Sequence, residues 1–233
     1  MSNLDLLKKL IKIESISPND NGCFDVIKQQ FEGLDFSFEE TSYKNISNLV
    51  ITNGNSKNKT FCFLGHTDVV PPGPESEWTV PPFSGEIIDN KIYGRGAADM
   101  KGGVACFISA LKEFLSEYKD PSFNIMVLLN SNEEGKLENG KVDRVINEMI
   151  DKDKFIDFCL IGEPSSSKKV GDVIRIGRRG SLSGNLKVYG IQGHVAYPKQ
   201  ALNPILGMGK TLEELKNMEW DRGNENFEPT SFQ

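Results

Sequence analysis

The chain has 233 residues, enough to bury a sizeable core as one large domain or two smaller ones. Its 33 Asp and Glu outnumber its 27 Lys and Arg, the net charge is -6, and no block rich in Lys or Arg occurs, which argues against a nucleic-acid partner. No apolar run approaches the roughly 20 residues of a membrane helix, and the first residues lack the pattern of a secretory signal. We therefore expect a soluble, cytoplasmic protein that binds neither nucleic acid nor a membrane.

The first quarter of the chain is predicted to form two helices and two strands. Apolar residues recur at helical spacing in two segments, one ending near Ile13 and one stopped by Gly33. Residues 34–38 alternate between apolar and polar side chains, which predicts a strand with one buried face, and residues 48–52 predict another.

Three short segments are apolar at nearly every position, as expected of parallel strands that are covered on both faces. They are residues 60–64, 123–129 and 158–161. Two segments with helical periodicity separate them, one beginning after Asp99 and one spanning residues 142–149, and a hairpin is predicted around Asp89 and Asn90. Apolar strands that alternate with helices indicate an α/β fold with a largely parallel sheet.

Polar side chains follow each of these three apolar strands. His66 and Asp68 follow the first, Glu133 and Glu134 the second, and Glu163 the third. Ligands of such sheets bind beyond the carboxyl ends of the strands, so we expect these side chains to converge on one edge of the sheet.

The expected cluster has the chemistry of a divalent metal site. A neutral imidazole with several carboxylates suits zinc or a related ion, and Asp68 could accept the other imidazole N–H of His66. Neighbouring residues of an extended loop point in different directions, so one of Glu133 and Glu134 can bind metal while the other acts as a general base. A water activated by metal beside a carboxylate base is an arrangement for hydrolysis.

Simpler interpretations exist for each motif by itself. A His-x-Asp sequence after a strand is more often a hydrogen-bonded turn, and Glu133 and Glu134 alone suggest a solvated loop. The coincidence of all three polar groups with the three apolar strands favours the metal site, because gathering this many carboxylates without a cation is costly. Residue spacing alone leaves simpler interpretations open for two further residues. His194 could be an ordinary exposed loop histidine, and Arg178 could belong to a solvated linker.

The sequence pattern changes near Gly177. Residues 177–180 form a basic, glycine-containing joint, residues 182–188 alternate as in a half-exposed strand, and Asn203 followed by Pro204 predicts the start of a helix. We therefore predict one domain over residues 1–176 and a second over 177–233. The four cysteines are far apart, without a CxxC pair, which predicts reduced, packed thiols.

Four motifs together resemble the metal-site signatures of the M20 family of dinuclear zinc hydrolases. They are Gly65-His66-Thr67-Asp68, Gly94-Arg95-Gly96-Ala97-Ala98-Asp99-Met100-Lys101-Gly102, Glu133-Glu134-Gly135 and Gly162-Glu163-Pro164-Ser165. Further motifs resemble the branch of that family that hydrolyses a succinylated diamino acid. They are residues 69–74, 177–182, 190–198 and 229–233.

The resemblance implies a fold and an activity. The fold is a largely parallel-sheet α/β zinc-hydrolase catalytic domain, followed by the start of a smaller α+β lid or dimerisation domain. The activity is hydrolysis of N-succinyl-LL-2,6-diaminopimelate to succinate and LL-2,6-diaminopimelate, a step of bacterial lysine synthesis, by a homodimer with two divalent ions. Zinc is the expected metal, and carboxylate-rich sites also admit cobalt. The alternative within the family is another deacylase, such as one acting on N-acetylornithine.

The resemblance also implies roles for individual residues. Asp99 would bridge two metal ions, His66 and Glu163 would complete one of them, and Glu134 would bind the other. Glu133 would be the general base and Asp68 would orient His66. In the second domain, His194 would reach the partner subunit's site and stabilise the oxyanion, and three residues would contact the substrate. These are Arg178, Ser181 and Tyr197.

Family members continue past the position of Gln233 and supply a last histidine ligand, whereas His66 and His194 are the two histidines here. We therefore expect a truncated form with weak or no activity. A non-catalytic role in folding or self-association is the second alternative.

Overall fold

The computed structural model describes residues 2–53, 58–135, 142–152 and 154–232. It divides into two compact units, Met1–Val170 and Gly171–Gln233. The boundary predicted after residue 176 falls inside the second unit, and the assignment of a catalytic and a lid domain stays a prediction.

A five-stranded mixed sheet forms the centre of the first unit, in the spatial order β1-β2-β6-β3-β7. Strand β3 runs parallel to β6 and β7, and β2 runs antiparallel to β1 and β6. Strands β4 and β5 pair as a separate hairpin. Within the described residues, the strands are β1 (Ser37–Tyr43), β2 (Ile46–Thr52), β3 (Thr60–His66), β4 (Glu86–Ile88), β5 (Lys91–Tyr93), β6 (Asn124–Asn130) and β7 (Phe158–Ile161).

Helices cover both faces of this sheet, which confirms the predicted α/β class. On one face, Leu10, Ile27 and Ile108 belong to a buried cluster with sheet residues such as Val127. On the other face, residues of the fourth helix pack with Leu128 and its neighbours. The helices of the first unit are α1 (Asn3–Ile11), α2 (Cys23–Lys28), α3 (Gly102–Glu117) and α4 (Val142–Ile150).

Two of the three apolar strands are buried as predicted and the third is not. Every residue of β6 is buried and β3 is nearly so, because each of these strands has a neighbour on both sides. Strand β7 is at the edge of the sheet, where Phe158 is 59% exposed and Leu160 48% exposed. The prediction of a fully buried third strand is therefore wrong, because an apolar run does not reveal a strand's position in the sheet.

The first predicted strand is shifted along the chain. Residues 34–38 were expected to form it, but β1 covers Ser37–Tyr43, where most side chains are exposed. Leu34 and Phe36 instead pack against the core cluster in the segment that leads into the strand. The predicted hairpin is confirmed, with Asp89 and Asn90 both at positive φ in its two-residue turn.

The second unit contains helix α5 (Pro204–Asn217), which begins where predicted because the Asn203 side chain accepts a hydrogen bond from the backbone N–H of Ile205. The strand expected over residues 182–188 does not form, since no described segment of this unit pairs with it. Ile191 and Leu202 form an isolated bridge. Among the described residues, no helix combines the length and apolar character needed to cross a membrane.

Candidate metal centre

The carboxyl ends of the three parallel strands deliver one polar group each to the same place. His66 is the last residue of β3, Glu133 and Glu134 follow β6, and Glu163 follows β7. Ligand atoms of His66, Glu133 and Glu134 lie within 4.8 Å of one another, and so do those of His66, Asp99 and Glu163. The convergence predicted from the strand pattern is therefore present, and Asp99 joins it from the turn before α3.

His66 is at the centre of both groups and is 1% exposed. Its Nδ1 lies 3.0 Å from the backbone oxygen of Asp68, and its Nε2 lies 3.2 Å from Asp99 Oδ1 and 3.6 Å from Glu163 Oε1. A carbonyl oxygen only accepts hydrogen bonds, so a neutral His66 carries its proton on Nδ1. The lone pair of Nε2 is then directed toward the carboxylates of Asp99 and Glu163, as a metal ligand requires.

Asp99 is held in a tight turn, Ala97–Lys101, at the start of α3. Its side chain is 54% exposed, and the peptide bond that follows it is cis. The side chain of Lys101 is buried and its Nζ donates hydrogen bonds of 2.8 Å to the carbonyl oxygens of Leu10 and Ile13. These bonds fasten the turn to the end of α1.

The fully buried carboxylate of Asp68 accepts hydrogen bonds from three directions. Its Oδ1 accepts from the backbone N–H of Glu133 at 3.1 Å, and its Oδ2 accepts from the backbone N–H of Glu134 at 3.1 Å and from the Ser17 hydroxyl. The carboxylate is 3.5 Å from His66 Nδ1, farther than the backbone oxygen of Asp68. Asp68 therefore contacts His66 mainly through its main chain and uses its carboxylate to hold the loop that carries Glu133 and Glu134.

Burial, hydrogen bonds and neighbouring charges shift several pKa values of the site. Burial opposes protonation of His66, but the hydrogen bonds and charge of Asp68 and the charge of Glu163 outweigh it and raise the pKa of His66 to about 9. Burial alone would raise the pKa of Asp68, but the nearby His66 and the hydrogen bonds from Ser17 and Glu133 lower it. Burial and the Asp99 carboxylate raise the pKa of Glu134. The site thus gathers negative charge that a bound cation would stabilise.

A polar network behind the site was not predicted from the sequence. Ser15 Oγ donates to the backbone oxygen of Thr67 at 2.6 Å, and Thr67 Oγ1 donates to Asp20 Oδ1 at 3.0 Å. Ser17 supports Asp68, and its backbone N–H donates to the Val69 oxygen at 3.1 Å. The short polar segment between the first two predicted helices, which holds Ser15, Ser17 and Asp20, was the available signal.

Four predicted site residues lie in the second unit. The His194 Nδ1 accepts a hydrogen bond of 3.1 Å from the backbone N–H of Ala196, and its ring centroid is 5.8 Å from that of Tyr197. Arg178 and Ser181 are exposed. Their participation in the site stays a prediction.

The donor atoms fit divalent metal ions. Imidazole nitrogen and carboxylate oxygen suit zinc and its neighbours, and the two overlapping groups share His66. The exposed Asp99 and Glu133 leave the site open on one side, as a catalytic centre needs. An imidazole and carboxylates at the carboxyl edge of a mostly parallel sheet define a metal-binding protein of the α/β class.

Residues 62–231 match the model of the peptidase family M20/M25/M40, and the chain belongs to this family. Membership implies bound divalent metal ions. The chain is 49% identical over 230 residues to succinyl-diaminopimelate desuccinylase of Psychromonas ingrahamii, and 47% identical over 230 residues to that of Methylococcus capsulatus. Each alignment covers 99% of this chain and 60% of the relative, so the chain spans about three fifths of the length of these curated relatives.

A solved structure with the same fold is the M20 family metallo-carboxypeptidase Sso-CP2 of Sulfolobus solfataricus. It is 25% identical, with a TM-score of 0.59, over 71% of this chain and 38% of that one. Aminopeptidase PepT of Bacillus cereus has a TM-score of 0.61 over 96% of this chain and 58% of that one, at 18% identity. The fold likeness supports the α/β architecture described above.

Proposed function

We propose that the protein is a metal-dependent amide hydrolase that cleaves N-succinyl-LL-2,6-diaminopimelate to succinate and LL-2,6-diaminopimelate. The observation that carries this proposal is the convergence of His66, Asp99, Glu163, Glu133 and Glu134 at one edge of the sheet. The identity to desuccinylases along nearly the whole chain supports the substrate. The reaction would take place in the cytoplasm, as a step that supplies diaminopimelate and lysine.

Two divalent ions, with zinc as the preferred metal, would be held by four residues. His66 and Glu163 would bind one ion, Glu134 the other, and Asp99 both. The short distances from His66 Nε2 to Asp99 and Glu163 support the first assignment. The raised pKa of Glu134, caused by burial and by Asp99, supports a shared site for these two carboxylates. When bound, the ions would polarise the amide carbonyl and make a water molecule easier to deprotonate.

The remaining chemistry would be carried by the chain's own carboxylates. Glu133 is exposed at the rim of the site and would take a proton from the attacking water. It would then deliver that proton to the departing amine nitrogen as the amide C–N bond breaks. Asp68 would position Glu133, because its carboxylate accepts a hydrogen bond from the backbone N–H of Glu133.

The second unit would contribute to substrate binding in a homodimer. Arg178, an exposed cation in an acidic chain, would pair with a carboxylate of the anionic substrate, with Ser181 and Tyr197 as neighbouring contacts. His194 would stabilise the oxyanion in the partner subunit's site.

The test is an assay of the purified chain with zinc added, measuring release of primary amine from N-succinyl-LL-2,6-diaminopimelate and, in parallel, from N-acetylornithine. We expect turnover that is weak, as for a truncated form, and that favours the succinylated substrate over the acetylated one, together with two metal ions per chain by elemental analysis. A preference for N-acetylornithine would contradict the proposed substrate but agree with the proposed reaction class, amide hydrolysis. About one metal ion or fewer per chain with no hydrolysis would contradict the proposal and favour a non-catalytic role.

A further inference from the structure

Two cysteines outside the metal centre face each other across neighbouring strands. Cys62 on β3 and Cys159 on β7 are direct partners in the parallel register. Neighbouring strands are about 4.8 Å apart and paired residues project to the same face. Disulfides join residues whose Cα atoms are about 4.4–6.8 Å apart. The backbone therefore already holds the two residues within the range that a disulfide needs.

The two thiols differ in exposure and in acidity. Cys62 is buried in the cluster with Met126 and Leu128, whereas Cys159 is exposed on the edge strand. The hydrogen bond from Cys62 outweighs partial burial and lowers the pKa of Cys159 to about 7. The same hydrogen bond, with burial, raises the pKa of Cys62. At neutral pH, Cys159 is thus an accessible, partly ionised thiol beside a buried thiol that keeps its proton, the arrangement typical of oxidant-sensitive cysteines.

The other two cysteines lack this combination. Cys23 is buried and its pKa is raised to about 11, chiefly by burial, so little thiolate forms there. Cys106 is exposed on α3. Among the described strand pairs, only Cys62 and Cys159 place two cysteines opposite each other. This corrects the prediction of four packed thiols, since two are exposed.

We propose that Cys159 and Cys62 form an oxidation site for peroxides, with Cys159 as the attacking thiolate and Cys62 as the resolving thiol. In the first step, the Cys159 sulfur attacks one peroxide oxygen, an S–O bond forms, the O–O bond breaks, and the departing hydroxide takes a proton to become water. In the second step, the Cys62 sulfur attacks the sulfenic sulfur of Cys159, the S–S bond forms, and the S–O bond breaks. The hydroxide released from the sulfenic sulfur takes the proton of Cys62 and leaves as a second water. One peroxide is therefore reduced for each disulfide formed.

This inference does not depend on the proposed hydrolysis. The pair lies on the sheet face that α4 covers, within the strands, whereas the metal centre lies beyond the strand ends. Its product would be a covalent link between β3, which ends at His66, and β7, which leads to Glu163.

The test is a peptide map of the reduced, purified chain after treatment with a molar excess of hydrogen peroxide at neutral pH. Remaining thiols are blocked with N-ethylmaleimide, and the digest is analysed by mass spectrometry without reductant. We expect one peptide that joins Cys62 to Cys159, loss of two of the four thiols, and recovery of all four with dithiothreitol. The matched control is C106S, which removes the other exposed cysteine and should give the same linked peptide.

A second variant separates the two roles. In C62A the resolving thiol is absent, so Cys159 should accumulate as a sulfenic acid that dimedone traps. The wild-type map needs no substitution, so it remains decisive if this variant does not fold. Absence of the joined peptide, or oxidation of Cys106 or Cys23 ahead of Cys159, would overturn the proposal.

Discussion

Asp68 illustrates how one residue organises a site built from distant parts of the chain. Its backbone oxygen accepts a hydrogen bond from His66 Nδ1 and so keeps the proton there. Its carboxylate accepts hydrogen bonds from the backbone N–H groups of Glu133 and Glu134. The carboxylate is fully buried, which is tolerable because these donors and Ser17 satisfy it. Loss of one donor should therefore be felt throughout the site.

The hydroxyl of Ser17 should matter for both stability and turnover. In S17A, the buried Asp68 carboxylate loses a donor, which should cost about 1–3 kcal/mol of unfolding free energy. Displacement of the loop carrying Glu133 should lower kcat more than it changes KM. Urea denaturation and steady-state kinetics test this. S17T should retain most of the stability and the activity. The control S42A, at an exposed serine of β1, should retain both in full. An S17A chain as stable and as active as wild type would contradict the role of Ser17.

Glu133 and Glu134 should respond differently to the same substitution. E133Q should keep its metal and lose turnover by about 10²–10⁴-fold, because a general base is removed. E134Q should lose metal, because a ligand is removed. Elemental analysis and the amine-release assay on both variants decide the assignment. Metal loss in E133Q with full retention in E134Q would reverse the two roles.

At the scale of elements, the position of each strand in the sheet determines how much its side chains contribute to the packing of the core. Phe63 on β3 is 1% exposed and stacks on Phe107 of α3, with ring centroids 4.1 Å apart. Phe158 on the neighbouring β7 is 59% exposed. Both belong to runs that look equally apolar in the sequence, yet one of them builds the core and the other lies at its edge.

The two phenylalanines should therefore differ sharply when shortened. F63A should destabilise the chain by about 3–5 kcal/mol, since it removes a packed aromatic ring and leaves a cavity. F158A should cost less than about 1 kcal/mol, because most of its surface is already in contact with water. Chemical denaturation followed by circular dichroism measures both. Similar losses in the two variants would mean that β7 is covered in solution.

At the scale of the whole molecule, the sheet concentrates negative charge at one edge of the first unit. A divalent cation would offset the repulsion that raises the pKa of Glu134. In the metal-free chain, the positive charge of protonated His66 offsets part of this repulsion, because its pKa is raised from 6.5 to about 9.

The charge of His66 sets the direction of the pH dependence. A pKa that is higher in the folded state contributes stability that is fully present below about pH 6.5 and is lost as the pH rises through about 9. In chelator-treated protein, the unfolding free energy should therefore fall across this range, and H66Q should flatten that part of the profile. Urea denaturation at a series of pH values provides the measurement, and an unchanged slope in H66Q would contradict the assignment.

Metal binding should have the opposite pH dependence. A metal ligand must be neutral imidazole, so binding must displace the proton of His66 below about pH 9. Zinc affinity should therefore rise with pH over this range, with proton release detectable by calorimetry in buffers of different ionisation enthalpy. Affinity that is independent of pH would argue against His66 as a ligand.

The sequence by itself determined the α/β class, the two central strands and the edge where polar residues gather. These features follow from local patterns, since apolar runs mark buried strands and the residues after them must lie at the strand ends. The motifs around His66, Asp99, Glu133 and Glu163 also carried the family resemblance, which the match over residues 62–231 confirms.

Only the tertiary structure decided which distant groups touch. The pairing of Cys62 with Cys159 depends on strand order and register. The support of Asp68 by Ser17 and the hydrogen bonds of Lys101 to α1 depend on how loops and helices pack around the sheet. Neither order nor register is written in the local periodicity, because an edge strand and a central strand can have the same apolar run. For the same reason, the exposure of β7 follows from its place at the edge of the described sheet, beside β3.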